Sequence, residues 1–132
     1  MAYKILVVDD DKQIVDFYRK LLLREGYEVA EAYDGEEALQ KVASEKPDIV
    51  ILDLIMPKLN GLDVLQEIRD KYREKWIPVI IVSGDTELKA VKKGYDLEAN
   101  HYLVKPVDAG HLLHGIQTMI SLMPLRKKWD EE

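Results

Sequence analysis

The chain contains no cysteine, which excludes disulfides, thiolate metal sites and cysteine nucleophiles and permits a reducing compartment. Positive charge is also short. Nineteen basic residues face twenty-five acidic ones, a formal charge of -6. Such a surface repels a phosphate backbone unless its charges segregate strongly, so direct nucleic-acid binding is disfavoured. No apolar run approaches the roughly 20 residues that a membrane-spanning helix needs. The opening Met1-Ala2-Tyr3-Lys4 precedes only a short apolar run ending in acids, unlike a signal peptide. Internal repeats and low-complexity stretches are absent too. These absences give a cytoplasmic protein with no membrane contact as the expectation.

What is present suits one core. At 132 residues, 47% hydrophobic and 33% charged, the chain is long enough for one domain and short for two. Apolar runs of strand length recur at Ile5-Leu6-Val7-Val8, a weaker Glu28-Val29-Ala30, Ile49-Val50-Ile51-Leu52, Pro78-Val79-Ile80-Ile81-Val82 and Tyr102-Leu103-Val104. Three are continuous and β-branched, the pattern of a strand covered by helices on both faces. The period between the runs is helical. Ile14, Phe17, Leu21 and Leu22 form one stripe, ended by Gly26. A second helix opens at Asp34, with Glu37 placed to reach back to the cap amide, and Pro47 stops it. Leu62, Leu65, Ile68 and Tyr72 mark a third. Leu88, Val91 and Tyr95 mark a fourth starting near Asp85-Thr86. The fifth starts at Asp108, carries Leu112, Ile116, Met119, Ile120 and Met123, and ends at Pro124. Five strand and helix pairs predict an α/β fold with a parallel sheet and short loops.

In an open parallel sheet the site lies at the carboxyl ends of the strands. Just after the first strand stand Asp9, Asp10 and Asp11, after the third Asp53, after the fourth Ser83 and Gly84, and after the fifth Lys105 and Pro106. Each acid taken singly reads as a helix cap or turn residue. Four strand ends carrying such residues together read as a site. Carboxylates on neighbouring strand ends, about 5 Å apart, repel by an order of 4 kcal/mol per close pair at a surface-like dielectric. A hard dication such as Mg2+ offsets this best, and Lys105 supplies a second positive charge. A carboxylate between the two, which is where Asp53 would stand, is placed to attack phosphorus, with the Ser83 hydroxyl donating to the same oxygens.

These residues resemble the receiver domain of two-component response regulators. The carriers are Ile5-Leu6-Val7-Val8-Asp9-Asp10, Asp48 through Pro57, Asn60-Gly61, Val82-Ser83-Gly84 and Tyr102-Leu103-Val104-Lys105-Pro106, and the likeness runs from about Tyr3 to Met123. The resemblance implies a flavodoxin-like doubly wound (βα)5 fold with strand order 2-1-3-4-5 over residues 1–123, followed by a tail or linker at 124–132. It implies a phosphoacceptor signalling domain, not a turnover enzyme, charged by a histidine kinase or histidine phosphotransfer protein. Asp53 would be the acceptor. Asp9, Asp10 and Asp53, with the backbone carbonyl of Ile55, would hold Mg2+, and Asp11 would start the first helix. Ser83 would be the switch hydroxyl, Lys105 the lysine that pairs with the phosphoryl group, and Tyr102 the aromatic switch. Lys105 would be aimed by a cis bond to Pro106. The face of the fourth helix, fifth strand and fifth helix would meet a downstream protein, an output domain or a second copy. Met1 directly before the first strand favours a stand-alone regulator, while the tail fits an excised receiver equally well.

Two positions depart from the family pattern. Ile55 and Asp85 stand where polar side chains often orient a hydrolytic water, and the apolar Ile55 predicts slow self-dephosphorylation. Glu98 stands where similar sequences favour glycine, so a positive φ there implies about 1 kcal/mol of strain or more. Other candidates read as structural. His111 and His114 lack a third metal ligand, His101 reads as an exposed loop residue, and Lys89, Lys92 and Lys93 read as a solvated strip. Trp76 and Trp129 offer apolar surface without an assigned use. Two rival functions are weak. A dehalogenase-type phosphatase would use Asp9 and Asp11 but lacks room for a cap domain. A flavodoxin-like nucleotide binder would need a first loop that cradles phosphate, which three aspartates repel.

Overall fold

The computed structural model describes residues 2–56, 58–84 and 88–123, with the side chains of all of these except Leu88 and Lys89. Strands and helices alternate as β1 (Lys4–Val8), α1 (Lys12–Arg24), β2 (Glu28–Ala32), α2 (Gly35–Glu45), β3 (Ile49–Leu52), α3 (Gly61–Lys71), β4 (Val79–Ser83), α4 (Leu88–Asp96), β5 (His101–Val104) and α5 (Ala109–Leu122). All strand pairs are parallel, in the order β2-β1-β3-β4-β5. This is the doubly wound, flavodoxin-like architecture expected from the sequence.

The sheet divides the core in two. Leu6, Val8, Val50, Leu52, Val79 and Ile81 face one cluster, shared with residues of α2 and α3 and with Val91 of α4. Ile5, Val7, Ile49, Ile51, Ile80 and Val82 face the other, shared with α1 and α5. Successive side chains of a strand point to opposite faces, so a strand buried on both must be apolar throughout. That accounts for the unbroken runs.

Helix starts follow the cap chemistry of the sequence. Asp11 accepts hydrogen bonds from the amides of Gln13 (2.9 Å) and Ile14 (3.4 Å). Asp34, Asn60 and Asp108 cap α2, α3 and α5 through the amides of Glu37, Asp63 and His111. Glu37 reaches back as expected, but to the amide of Tyr33 (2.7 Å), one residue before the cap.

Other local expectations need correction. In α1 the buried residues are Val15, Tyr18, Leu21 and Leu22, while Phe17 is 49% exposed. Strict 3.6-residue spacing admits either neighbour at that edge of the stripe. Tyr95 is exposed, because the tight face of α4 is Gly94, which packs on Ile81 and Tyr102. His101 is the first residue of β5 and half-buried, not a loop residue. β2 runs on to Ala32 because its edge pairing with β1 continues through Val8. The start of the fourth helix at Asp85-Thr86, Pro57, Pro124 and Trp129 lie outside the described residues.

Glu98 has φ 67°, and its place explains the glycine preference. It follows α4 in a Schellman arrangement, with the amide of Ala99 bonding the carbonyl of Gly94 and that of Glu98 the carbonyl of Tyr95. This closure needs a left-handed residue.

Candidate functional site

Backbone pairing beyond the strand ends fixes where the polar side chains start. The amide of Asp9 donates to Ala32 of β2 (3.1 Å), that of Asp53 to Val8 of β1 (3.0 Å), and that of Lys105 to Ser83 of β4 (2.8 Å). The peptide between Lys105 and Pro106 is cis. The loop after Asp53 is held from below by α3. A side-chain carbon on Gly61 would stand 2.2 Å from the Asp53 carbonyl oxygen, and one on Gly35 would stand 2.0 Å from that of Leu59. Neither position has room for any other residue.

The side chains converge. Asp9 and Asp53 are buried at 2% and 5% exposure, whereas Asp10 is exposed. One carboxylate oxygen from each of the three lies within 4.8 Å of the others. The Lys105 ammonium is 2.8 Å from Asp9 Oδ2 and 3.4 Å from Asp53 Oδ2. The lysine thus reaches past Asp53 to bridge both buried acids, a shared position that the sequence does not reveal. Asp9 Oδ1 also accepts from the amide of Asp11 (2.9 Å).

The balance of charge is uneven. Burial and the neighbouring Asp9 charge push Asp53 from 3.8 up to about 6, against the pull of Lys105 and of the Ile55 amide that donates to it. Burial alone would lower Lys105, yet its hydrogen bond to Asp9 and the two carboxylate charges raise it overall. Tyr18 beneath the site is raised, mainly by burial. One ammonium faces three carboxylates, and oxygen donors in this number suit a hard cation such as Mg2+. The donor set therefore fits that ion.

Ser83 is wholly buried at the end of β4, and Tyr102 is 9% exposed in β5. Register pairs Ile81 with Tyr102 and Ser83 with Val104. Ser83 and Tyr102 accordingly lie on one side of the sheet, one pleat apart on adjacent strands.

Residues 5–117 match the response regulator receiver domain family. The chain belongs to that family. Solved receivers share the fold over nearly their whole length. A CheY-like receiver domain protein from Methanospirillum hungatei superposes with a TM-score of 0.86 at 29% identity, covering 92% of this chain and 95% of the other. The chemotaxis protein CheY4 of Vibrio cholerae gives 0.84 at 31% identity, covering 90% and 99%. A Francisella response regulator receiver domain gives 0.84 at 29%, covering 90% and 97%. Receivers are signalling domains, and the acid cluster of this one fits the Mg2+ site of the family.

The receiver brings Asp9, Asp10, Asp53 and Lys105 together as the sequence anticipated. Asp11 serves as a cap instead, also as anticipated. Ile55 presents its amide to Asp53 while its side chain is 68% exposed. Sequence reasoning missed the surroundings. Ile14, Phe17, Pro106 and Val107 line an apolar groove of about 510 Å³ beside Lys105. The exposed Phe17 next to a buried Tyr18 was the available signal, hidden because both fit a helical stripe. Among the described residues no helix is long and apolar enough to cross a membrane.

Proposed function

We propose that the chain is a two-component phosphoacceptor in which Asp53 receives a phosphoryl group from a histidine kinase or histidine phosphotransfer protein. The observation that carries this reading is a buried carboxylate flanked by a second acid and contacted by one lysine at the mouth of a parallel sheet. With a pKa of about 6, Asp53 is mostly ionised at neutral pH. Its oxygen bonds to phosphorus as the bond from phosphorus to the donor imidazole nitrogen breaks. The imidazole keeps the electron pair and takes up a proton.

Asp9, Asp10, Asp53 and the Ile55 carbonyl would hold Mg2+, which when bound neutralises charge on the phosphoryl oxygens. Lys105 turns from Asp9 to a phosphoryl oxygen, a compact point charge on a flexible stem. Ser83 donates its hydroxyl to another, and phosphorylation, adding about one to one and a half negative charges, draws both inward. Movement of Ser83 alters the space beside Tyr102, whose ring then changes position and with it the face of α4, β5 and α5. An output domain, a downstream protein or a second copy reads that face. The groove beside Lys105, apolar and next to the acceptor, suits a helix of the donor.

This reading takes residues 1–123 as the receiver, 124–132 as tail or linker, and the cytoplasm as its setting. The domain assists only its own phosphorylation and dephosphorylation. Incubation with a small acyl phosphate and Mg2+, followed by intact mass, tests it. Wild type should gain one phosphoryl group, while Asp53→Asn and wild type in chelator should gain none. Equal labelling of Asp53→Asn would overturn the assignment.

A further inference from the structure

A second cavity, of about 280 Å³, opens between the start of β5 and the middle of α5, toward the opposite end of the strands from the acid cluster. His101 and His114 both line it, with Asn100, Gly115, Thr118 and Met119. Strand register fixes the side on which His101 stands. It pairs with Ile80, whose side chain belongs to the cluster shared with α1 and α5, and residues paired across a sheet point to the same face. Its ring therefore faces α5. There it lies against bare backbone, since a side-chain carbon on Gly115 would stand 3.2 Å from Cδ2 of His101 and 3.9 Å from Nε2. His114 is the neighbour of that glycine. The fold thus joins histidines of two different elements, whereas spacing along α5 alone pairs His114 with His111.

Among the described residues no hydrogen bond or ion pair engages a ring nitrogen of His101 or His114, and no unpartnered polar side-chain atom is sealed in the interior. The nitrogens of the half-buried His101 are consequently open to the cavity. His111, by contrast, is engaged, its Nδ1 lying 2.6 Å from Asp108 Oδ2. The Asn100 side-chain oxygen is taken as well. It accepts from the amide of Val79 (2.8 Å) and from Nη2 of Arg69 (2.9 Å), whose guanidinium also holds the carbonyls of Ile77 and Glu98. Thr118 donates its hydroxyl to the His114 carbonyl (2.9 Å), which leaves lone pairs on that oxygen, and Met119 is a thioether. None of the lining residues carries a carboxylate. Such a set offers little to Mg2+ and suits the later first-row ions, for which imidazole is the commonest protein ligand.

We propose that this cavity binds one late first-row divalent metal ion, of the zinc and copper kind, through the imidazoles of His101 and His114, with water in the remaining positions. Two protein ligands and open water positions make the metal exchangeable, unlike that of a closed structural site. The site is separate from the acid cluster and does not depend on the assignment of Asp53.

Zn2+ titrated into 15N-labelled full-length protein, with millimolar Mg2+ present to compete at the acid cluster, tests the proposal. Metal binding needs imidazole without its second proton, so the titration is run at about pH 7.5. The imidazole nitrogen resonances of the three histidines report binding. Those of His101 and His114 should shift together and saturate at one ion per chain, with His111 unmoved, and Mg2+ alone should move none of them. His101→Asn and His114→Gln should each weaken binding at least about tenfold, while His111→Gln and Asp53→Asn should leave the affinity unchanged. His114 is exposed, so its variant should keep the fold even where that of His101 does not. No saturable shift at about 1 mM Zn2+, a shift of His111 equal to that of the other two, or an affinity unchanged in His114→Gln would overturn the proposal.

Discussion

Replacing Asp53 with asparagine should stabilise this protein at neutral pH, although the substitution removes the residue on which its proposed function depends. The buried carboxylate has its pKa raised from 3.8 to about 6. The folded state therefore binds more protons than the unfolded state between those values, and stability falls as pH rises through that window. Above about pH 6 the penalty is complete. Two units at about 1.4 kcal/mol each give about 3 kcal/mol as the upper figure. Asparagine also forfeits the 3.4 Å contact with Lys105, leaving a net gain of about 1–2 kcal/mol, or about 4–7 °C in Tm for a chain of this size. Thermal unfolding in chelator from pH 4 to 7.5 would measure it. The gap between variant and wild type should open as pH rises, and millimolar Mg2+ should narrow it by stabilising wild type alone. A variant no more stable than wild type at pH 7.5, or a gap constant across the series, would refute the electrostatic account of the site.

Three other outcomes are expected. Ile55→Asn should shorten the lifetime of the phosphorylated protein, followed by loss of the phosphoryl mass with time, because the exposed Ile55 side chain offers no hydrogen bond to an attacking water; an unchanged lifetime counts against this. Glu98→Gly should raise the urea midpoint by about 0.5–1 kcal/mol equivalent by relieving the left-handed backbone, and a lower midpoint would show that the Arg69 bonds already absorb that strain. Phe17→Ser should slow phosphotransfer from a donor protein about tenfold while leaving labelling by a small acyl phosphate unchanged; equal slowing of both would remove the groove from the donor's path.

The sequence carried the architecture because burial on both faces leaves few choices. Ile49-Val50-Ile51-Leu52 admits no solvent-facing register, and Asp11, Asp34 and Asp108 announce their helices through cap chemistry that needs no tertiary context. The acid cluster was legible for a related reason: polar residues directly after buried strands stand at one edge once the strands are parallel. Less could be read where the outcome depends on neighbours distant in sequence. The choice between Phe17 and Tyr18 for the core depends on what α5 and the β5 loop offer opposite α1. The bridging position of Lys105 depends on the relative depth of two carboxylates set by different strands. Arg69 gives no sequence signal at all, since its partners Ile77, Glu98 and Asn100 become its neighbours only when α3 is docked.

The two glycines that pinch the loop between β3 and α3 divide that loop into what can change and what cannot. Its path past Leu54 and Leu59 is dictated by backbone atoms pressed where side chains would otherwise be, so a bulkier residue at Gly61 would press on the backbone of Asp53 itself. Ile55, in contrast, projects outward and is free of that constraint. Under the proposed phosphoacceptor role, exchange of that one outward residue would lengthen or shorten the persistence of a signal, with the geometry around Asp53 left untouched.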